Sequence, residues 1–284
     1  MVVRAGIGME SPSSILAQKT QVLQNISFSE TTVLQMFSRA SIKFARTNVY
    51  FMSHKKILIA LPARNEADNI GQVLHSIRKL YPDLTILVVD DASQDSTANI
   101  ACQFPGVLVT RLPFWMGYGG ALQTAYKYGY RNGFDTVIQL DADGQHDPAS
   151  IQTLLKGIDS ADVVVGSRFL DGGCYEMPLM RRLGCRFLSL TGKLLTGKTI
   201  TDPTSGFQAL NRRALALTIQ DFYPMDYPDL DVLILMHRFR LNVVEAPVHM
   251  RHSSGKAGMH EGLQVWYYAF KMILSILIVM LRRP

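Results

Sequence analysis

From residue 55 onward the chain switches repeatedly between two hydrophobic periods, and few folds accommodate that pattern. Ile57–Leu61, Leu84–Val89, Val107–Leu112, Thr136–Leu140 and Asp162–Gly166 are short and nearly continuous apolar runs. Segments with helical spacing lie between them. Ala67–Leu80 carries Ile70, Val73, Leu74 and Ile77 on one side, and Ser96–Phe104, Gly119–Arg131 and Pro148–Gly157 follow. Strands that are apolar on both faces need cover on both faces. The alternation therefore predicts an α/β fold, a mostly parallel sheet between layers of helices. Sheets of this kind bind ligands beyond the carboxyl ends of their strands, so chemistry is expected in the residues after each strand.

The fourth strand runs into Asp141-Ala142-Asp143-Gly144-Gln145. Side chains two apart on an extended segment face the same way. Asp141 and Asp143 can thus converge, with the small Ala142 between them leaving room. Two facing carboxylates repel unless a cation joins them, and hard oxygen donors select Mg²⁺ or Mn²⁺. Gln145 can add a carbonyl oxygen. The alternative is an acidic surface turn.

The second strand ends at Asp91, whose carboxylate can accept bonds from a base or a ribose hydroxyl. Ser93 and Ser96 beside it can equally cap the next helix. Glu66 opens a helix, where an acid offsets the dipole, or it bonds a nucleotide. Arg168 follows the fifth strand and suits a phosphate clamp, with Arg182, Arg186 and Lys256 as companions or as solvated charges. Phe114–Gly120 is a glycine-rich lead into a helix without the Lys-Ser/Thr of a P-loop, so it reads as packing or a flexible loop.

The second half is less regular. Leu179, Leu183, Phe187, Leu190 and Leu194 form a helical stripe, and residues 201–207 read as a turn-rich loop. Asp229–Phe239 reads as a helix and Val243–Val248 as a strand. Val265 to Leu281 is almost wholly apolar but is broken by Lys271. A lysine is costly at the bilayer centre, which favours a helix in the membrane interface or a short tilted insertion over a clean span. A helix packed on the domain is the alternative.

Residues 1–51 differ, with five Lys/Arg against two acids and no strand pattern. They read as a poorly ordered extension, a start misassigned upstream of Met52, or a targeting arm. The expected parts are an extension over 1–51, an α/β domain over 52–258 and an apolar or amphipathic helix over 259–284. A 48% hydrophobic content excludes global disorder. The net charge of +6 suits diphosphates or acidic lipids. Three cysteines without zinc spacing suggest a reducing compartment.

Seven segments in order over about 200 residues carry a resemblance: PARNEADNI (62–70), VVDDASQDST (88–97), GYGGALQTAY (117–126), QLDADGQHDP (139–148), VVVGSRF (163–169), DPTSGFQALNR (202–212) and RHSSGKAG (251–258). They resemble the family-2 glycosyltransferases with a GT-A, Rossmann-like fold, nearest the dolichyl- and undecaprenyl-phosphate sugar synthases. The resemblance implies that Pro62, Arg64, Glu66, Val89 and Asp91 hold the nucleoside. It implies that Asp141, Ala142, Asp143 and Gln145 form the metal–diphosphate site. Arg168, Arg182 and Lys256 would bind phosphate. The implied partners are a nucleotide-sugar donor, a polyprenyl-phosphate acceptor and the cytoplasmic face of a membrane, with a small membrane protein or a second copy as a further partner and no nucleic acid. Where this chain has Arg64, the family often has an aromatic residue.

Two other readings compete. A family member acting on a polysaccharide or other hydroxyl needs a carboxylate base, and Asp229 or Asp231 is placed for that role. A silent nucleotide-sugar-binding module has no need of two facing carboxylates.

Overall fold

The computed structural model describes residues 55–170, 179–226, 228–251 and 263–282. The chain divides into two units, Met1–His54 and Lys55–Pro284, and every described strand and helix belongs to the second. The expectations for residues 1–51 and for Lys256 lie outside the described residues.

Seven strands form one sheet in the order β3-β2-β1-β4-β6-β5-β7 among the described residues. They are β1 (Ile57–Ala63), β2 (Thr85–Asp90), β3 (Val107–Arg111), β4 (Thr136–Gln139), β5 (Val163–Ser167), β6 (Gln208–Asn211) and β7 (Val243–Pro247). The first four pair in parallel, as their continuous apolar runs require. The sheet is mixed, however, because β6 inserts antiparallel between β4 and β5. Residues 208–211 carry no sequence signal for this. A four-residue strand is too short to display a period, and its neighbours are chosen by tertiary pairing.

Eight helices are described: α1 (Ile70–Leu80), α2 (Thr97–Cys102), α3 (Tyr118–Arg131), α4 (Ile151–Gly157), α5 (Leu179–Thr196), α6 (Arg212–Thr218), α7 (Leu230–Arg238) and α8 (Leu263–Leu281). Helix α1 buries the expected stripe of Ile70, Val73, Leu74 and Ile77. It starts three residues later than its periodicity suggests, because the amides of Asn69 and Ile70 close a turn onto the Glu66 carbonyl at 3.0 and 2.9 Å. A short 3₁₀ turn, Pro148–Ser150, precedes α4, with the Asp147 carboxylate accepting from Ala149 N at 3.1 Å.

Helix α7 is buried over Leu230–Met236. It packs against both α5 and α8. Met272, Ile276 and Val279 of α8 face into the domain, whereas Phe270, Ile273, Leu274, Leu277, Ile278 and Leu281 are exposed. The Lys271 ammonium, which argued against a span, pairs with Asp226 at 2.8 Å. Among the described residues no helix is long and apolar enough to cross a membrane. One face of α8 is therefore domain core, and the opposite face is apolar and open.

Candidate active site

The loops after β1, β2 and β4 meet along one edge of the sheet, as a switch point between strands predicts. Two residues there hold left-handed backbone without being glycine, Asn65 and Ala92, each at φ 53°. Such strain persists only where the surroundings over-determine it. Here the loops are laced together. Asn65 N donates to Ser93 Oγ at 2.9 Å, Gln94 N to Asn65 Oδ1 at 2.9 Å, and Glu66 N to Thr97 Oγ1 at 2.8 Å.

Asp91 is buried, and its carboxylate accepts the amides of Met116 at 2.7 Å and Gly117 at 3.0 Å. It therefore anchors the 114–117 segment, which the sequence reads as packing or flexible. Gly117 makes that approach at φ 83°, a conformation unfavourable to any side chain. Arg64 donates to the Asp91 carbonyl at 3.1 Å and lies 4.8 Å over the ring of Trp115. Trp115 is exposed, so the stacked Arg64–Trp115 pair lies at the surface beside Asp91. Val89 lies wholly in the core and Pro62 is buried beside it in the sheet, so neither side chain is open to a nucleoside as the resemblance implied; both support the strands beneath the site.

Asp141 and Asp143 follow β4. The Tyr118 hydroxyl donates to Asp141 Oδ1 at 2.6 Å, and Gln145 binds Asp143 through its backbone amide at 2.9 Å and through its side-chain nitrogen. Burial pushes the Asp141 carboxyl above the usual carboxylate range, opposed by the Tyr118 bond and the Arg168 charge. Asp143 is raised by burial and then by the Asp141 charge. Two neighbouring acids, both raised by burial and one raised further by the other's charge, fit a hard divalent cation. Among the described residues no three His, Cys, Asp or Glu side chains converge, so the protein would offer two carboxylates and leave other positions to substrate oxygens or water.

Two residues that the sequence did not single out complete this corner. His146 Nδ1 accepts the Asp141 amide at 3.0 Å, and its ring stacks on Phe207 at 4.8 Å between centroids. Burial lowers its pKa to about 4, so the ring is neutral. Gly206 is the second. A Cβ there would stand 2.7 Å from the Tyr118 hydroxyl and 2.9 Å from Asp141 Oδ2.

Arg168 is buried and gripped by Asp202, with Nε and Nη2 each 2.6 Å from a carboxylate oxygen. The Arg168 amide also donates to Asp202, at 3.1 Å. Sequence reading placed Asp202 in a turn-rich loop and gave it no role; it lies 34 residues away. Beside Arg168 opens a cavity of about 320 Å³ lined also by Ser150, Thr153 and His249. Arg182 is exposed on α5. Asp231 is fully buried. Its oxygens accept Asp229 N at 3.0 Å, Val232 N at 2.8 Å and the Ser275 hydroxyl of α8, so it ties α7 to α8. Asp229 is half-buried at the start of α7.

Comparison with known proteins agrees with this architecture. Residues 58–217 match the profile of Glycosyl transferase family 2. An undecaprenyl-phosphate mannosyltransferase of Micrococcus luteus is 30% identical over 73% of this chain and 89% of its own. A UDP-N-acetylglucosamine–dolichyl-phosphate N-acetylglucosaminyltransferase of Methanococcus voltae is 28% identical over 79% of this chain and 97% of its own. In fold, the chain is similar to glucosyl-3-phosphoglycerate synthase of Mycobacterium tuberculosis, solved with Mn²⁺ and UDP-glucose. The TM-score is 0.61 at 19% identity, covering 79% of this chain and 80% of that one. The chain belongs to glycosyl transferase family 2, with a GT-A-like catalytic fold.

Proposed function

We propose that this chain is an inverting transferase that moves a sugar from a UDP- or GDP-linked donor to a polyprenyl phosphate, for synthesis of cell-envelope glycans or glycoconjugates. One observation carries the reading: in a family-2 domain, Asp141 and Asp143 stand together after β4 with Tyr118 and Gln145 orienting them. The likeness to an undecaprenyl-phosphate mannosyltransferase, over 89% of that protein, supports the acceptor class.

The chemistry is self-consistent. A phosphate monoester is already an anionic nucleophile, so its attack on the anomeric carbon needs little help from a general base. One of its oxygens forms the new bond as the bond to the nucleoside diphosphate breaks on the opposite side. Bound Mg²⁺ or Mn²⁺ would stabilise the charge on the departing diphosphate. Asp141, Asp143 and the carbonyl oxygen of Gln145 would hold it. The nucleoside would lie against the Arg64–Trp115 pair, with buried Pro62 and Val89 supporting the strands beneath and Glu66 and Asp91 fixing the loops around it. Arg168, aimed by Asp202, borders the cavity in which a phosphate would sit. Arg182 and Lys256 remain phosphate contacts of the same proposal.

Access to a lipid acceptor favours the cytoplasmic face of a membrane as the working place. The open apolar face of α8 supports this, as does α5, where Phe187, Leu190 and Leu194 are exposed among Arg182, Arg186 and Lys193. Apolar residues interspersed with cations suit an anionic bilayer surface. A hydroxyl acceptor is the second reading, favoured by the partial exposure of Asp229 at the start of α7; the fully buried Asp231 has its oxygens bound within the fold.

The test is a transfer assay. Membranes carrying the protein are incubated with Mn²⁺ or Mg²⁺, polyprenyl phosphate and radiolabelled UDP-glucose, UDP-N-acetylglucosamine or GDP-mannose, then extracted with organic solvent. Label in the lipid phase from one donor is the expected result. Label only on a sugar hydroxyl would replace this reading with the second.

A further inference from the structure

A directed chain of hydrogen bonds runs from Asp141 into the core. Tyr118 OH meets Asp141 Oδ1 at 2.6 Å, Gln139 Nε2 meets Tyr118 OH at 2.9 Å, and Tyr126 OH meets Gln139 Oε1. The Tyr223 ring packs edge-on against Tyr126 at the far end, 5.8 Å between centroids. An ionised carboxylate can only accept. Tyr118 must therefore spend its single proton on Asp141, and its oxygen is left to accept. That demands the amide nitrogen of Gln139 on this side, which turns the Gln139 oxygen toward Tyr126 and makes Tyr126 a donor. One arrangement of protons satisfies every group, and it ends on the carboxylate. Tyr126 and Gln139 are buried, so water cannot readily substitute for a missing member. The space for the Tyr118–Asp141 contact exists because residue 206 has no side chain.

We infer that Tyr118 is a positioning residue of the transfer reaction: it holds Asp141 by Oδ1, with His146 Nε2 3.6 Å from Oδ2 on the other side, so that the carboxylate is fixed in the orientation in which it would meet a cation, and Gln139 and Tyr126 fix the direction of the Tyr118 proton. The inference rests on Asp141 being a cation ligand. Outer partners of metal ligands are commonly worth 10–100-fold in metal affinity, and that scale sets the expected effect.

Mn²⁺ binding followed by electron paramagnetic resonance, with UDP in one series and GDP in another, tests it. Wild type, Tyr118→Phe, Asp141→Asn and a control Tyr128→Phe are compared at one pH after circular dichroism establishes folding. Tyr118→Phe should weaken Mn²⁺ by about 10–100-fold, Asp141→Asn should abolish saturable binding, and the control should bind as wild type. The kcat of Tyr118→Phe should fall more than its donor KM rises, and excess Mn²⁺ should recover part of the rate. Unchanged Mn²⁺ affinity in Tyr118→Phe, with binding lost in Asp141→Asn, overturns the inference and leaves the metal reading standing. Binding absent from wild type, or intact in Asp141→Asn, overturns both. Should Tyr118→Phe not fold, Gln139→Leu removes the amide that directs the hydroxyl and carries the same expectation and the same refutation.

Discussion

Removing the charge of Asp202 should unfold this protein more readily than almost any other conservative change. Asp202 is wholly buried and Arg168 nearly so, with side-chain exposures of 0% and 4%. The carboxylate accepts Nε and Nη2 at 2.6 Å each and the Arg168 amide at 3.1 Å. Asp202→Asn keeps the shape but leaves the guanidinium charge uncompensated and turns an NH₂ group toward its donors. Breaking one side of a buried pair costs about 3–5 kcal/mol. For a domain of this size each kcal/mol lowers Tm by roughly 2–4 °C, so a fall on the order of 10 °C is expected in a thermal melt. The double variant Arg168→Met with Asp202→Leu removes both charges and should recover most of that loss, because apolar replacements of buried pairs are commonly neutral or better. Its transfer activity should stay low, since Arg168 is proposed to face phosphate. A Tm change under about 2 °C in Asp202→Asn would refute the argument that the Arg168 guanidinium depends on this carboxylate. Full activity in the double variant would refute the phosphate role of Arg168.

Three further outcomes are expected. Gly206→Ala should displace the Tyr118–Asp141 contact, lowering Mn²⁺ affinity and activity while costing about 1–3 kcal/mol in urea unfolding. His146 titrates near 4 when folded and near 6.5 when unfolded, so the unfolded chain gains a proton that the native one refuses as pH falls through that window. Wild type should therefore lose up to about 3 kcal/mol relative to His146→Gln between pH 6.5 and 4, and equal pH slopes in the two would contradict a neutral buried ring. Asp143→Asn should lower transfer by about 100-fold or more, beyond the effect of an outer-shell partner, and full activity would remove Asp143 from the metal site.

The acidic pair was legible because its signal is local. An apolar run ending in Asp-Ala-Asp marks the strand and places two acids just beyond it, although residues 142–143 form a turn rather than the extended segment expected. The same logic located Asp91 and Arg168 at strand ends. What each touches was not legible. The Asp91 carboxylate binds amides 25 and 26 residues away, and Asp202 reaches Arg168 across 34. Tyr118 stood unmarked inside a glycine-rich segment whose apparent purpose was packing. The best signal was a lone hydroxyl-bearing ring among four residues otherwise all glycine, Gly117 to Gly120.

By itself the sequence determined the α/β alternation, the edge of the sheet at which the candidate site lies, and the acids that follow β4, because apolar period and strand-end chemistry are properties of neighbouring residues. Tertiary structure alone decided the antiparallel insertion of β6, the Asp202–Arg168 pair, the tyrosine–glutamine chain behind Asp141 and the burial of Asp231 against Ser275. These join residues distant in sequence. Their partners are selected by the packing of the whole domain and by the requirement that every buried polar group find a hydrogen bond, and no local pattern encodes that selection.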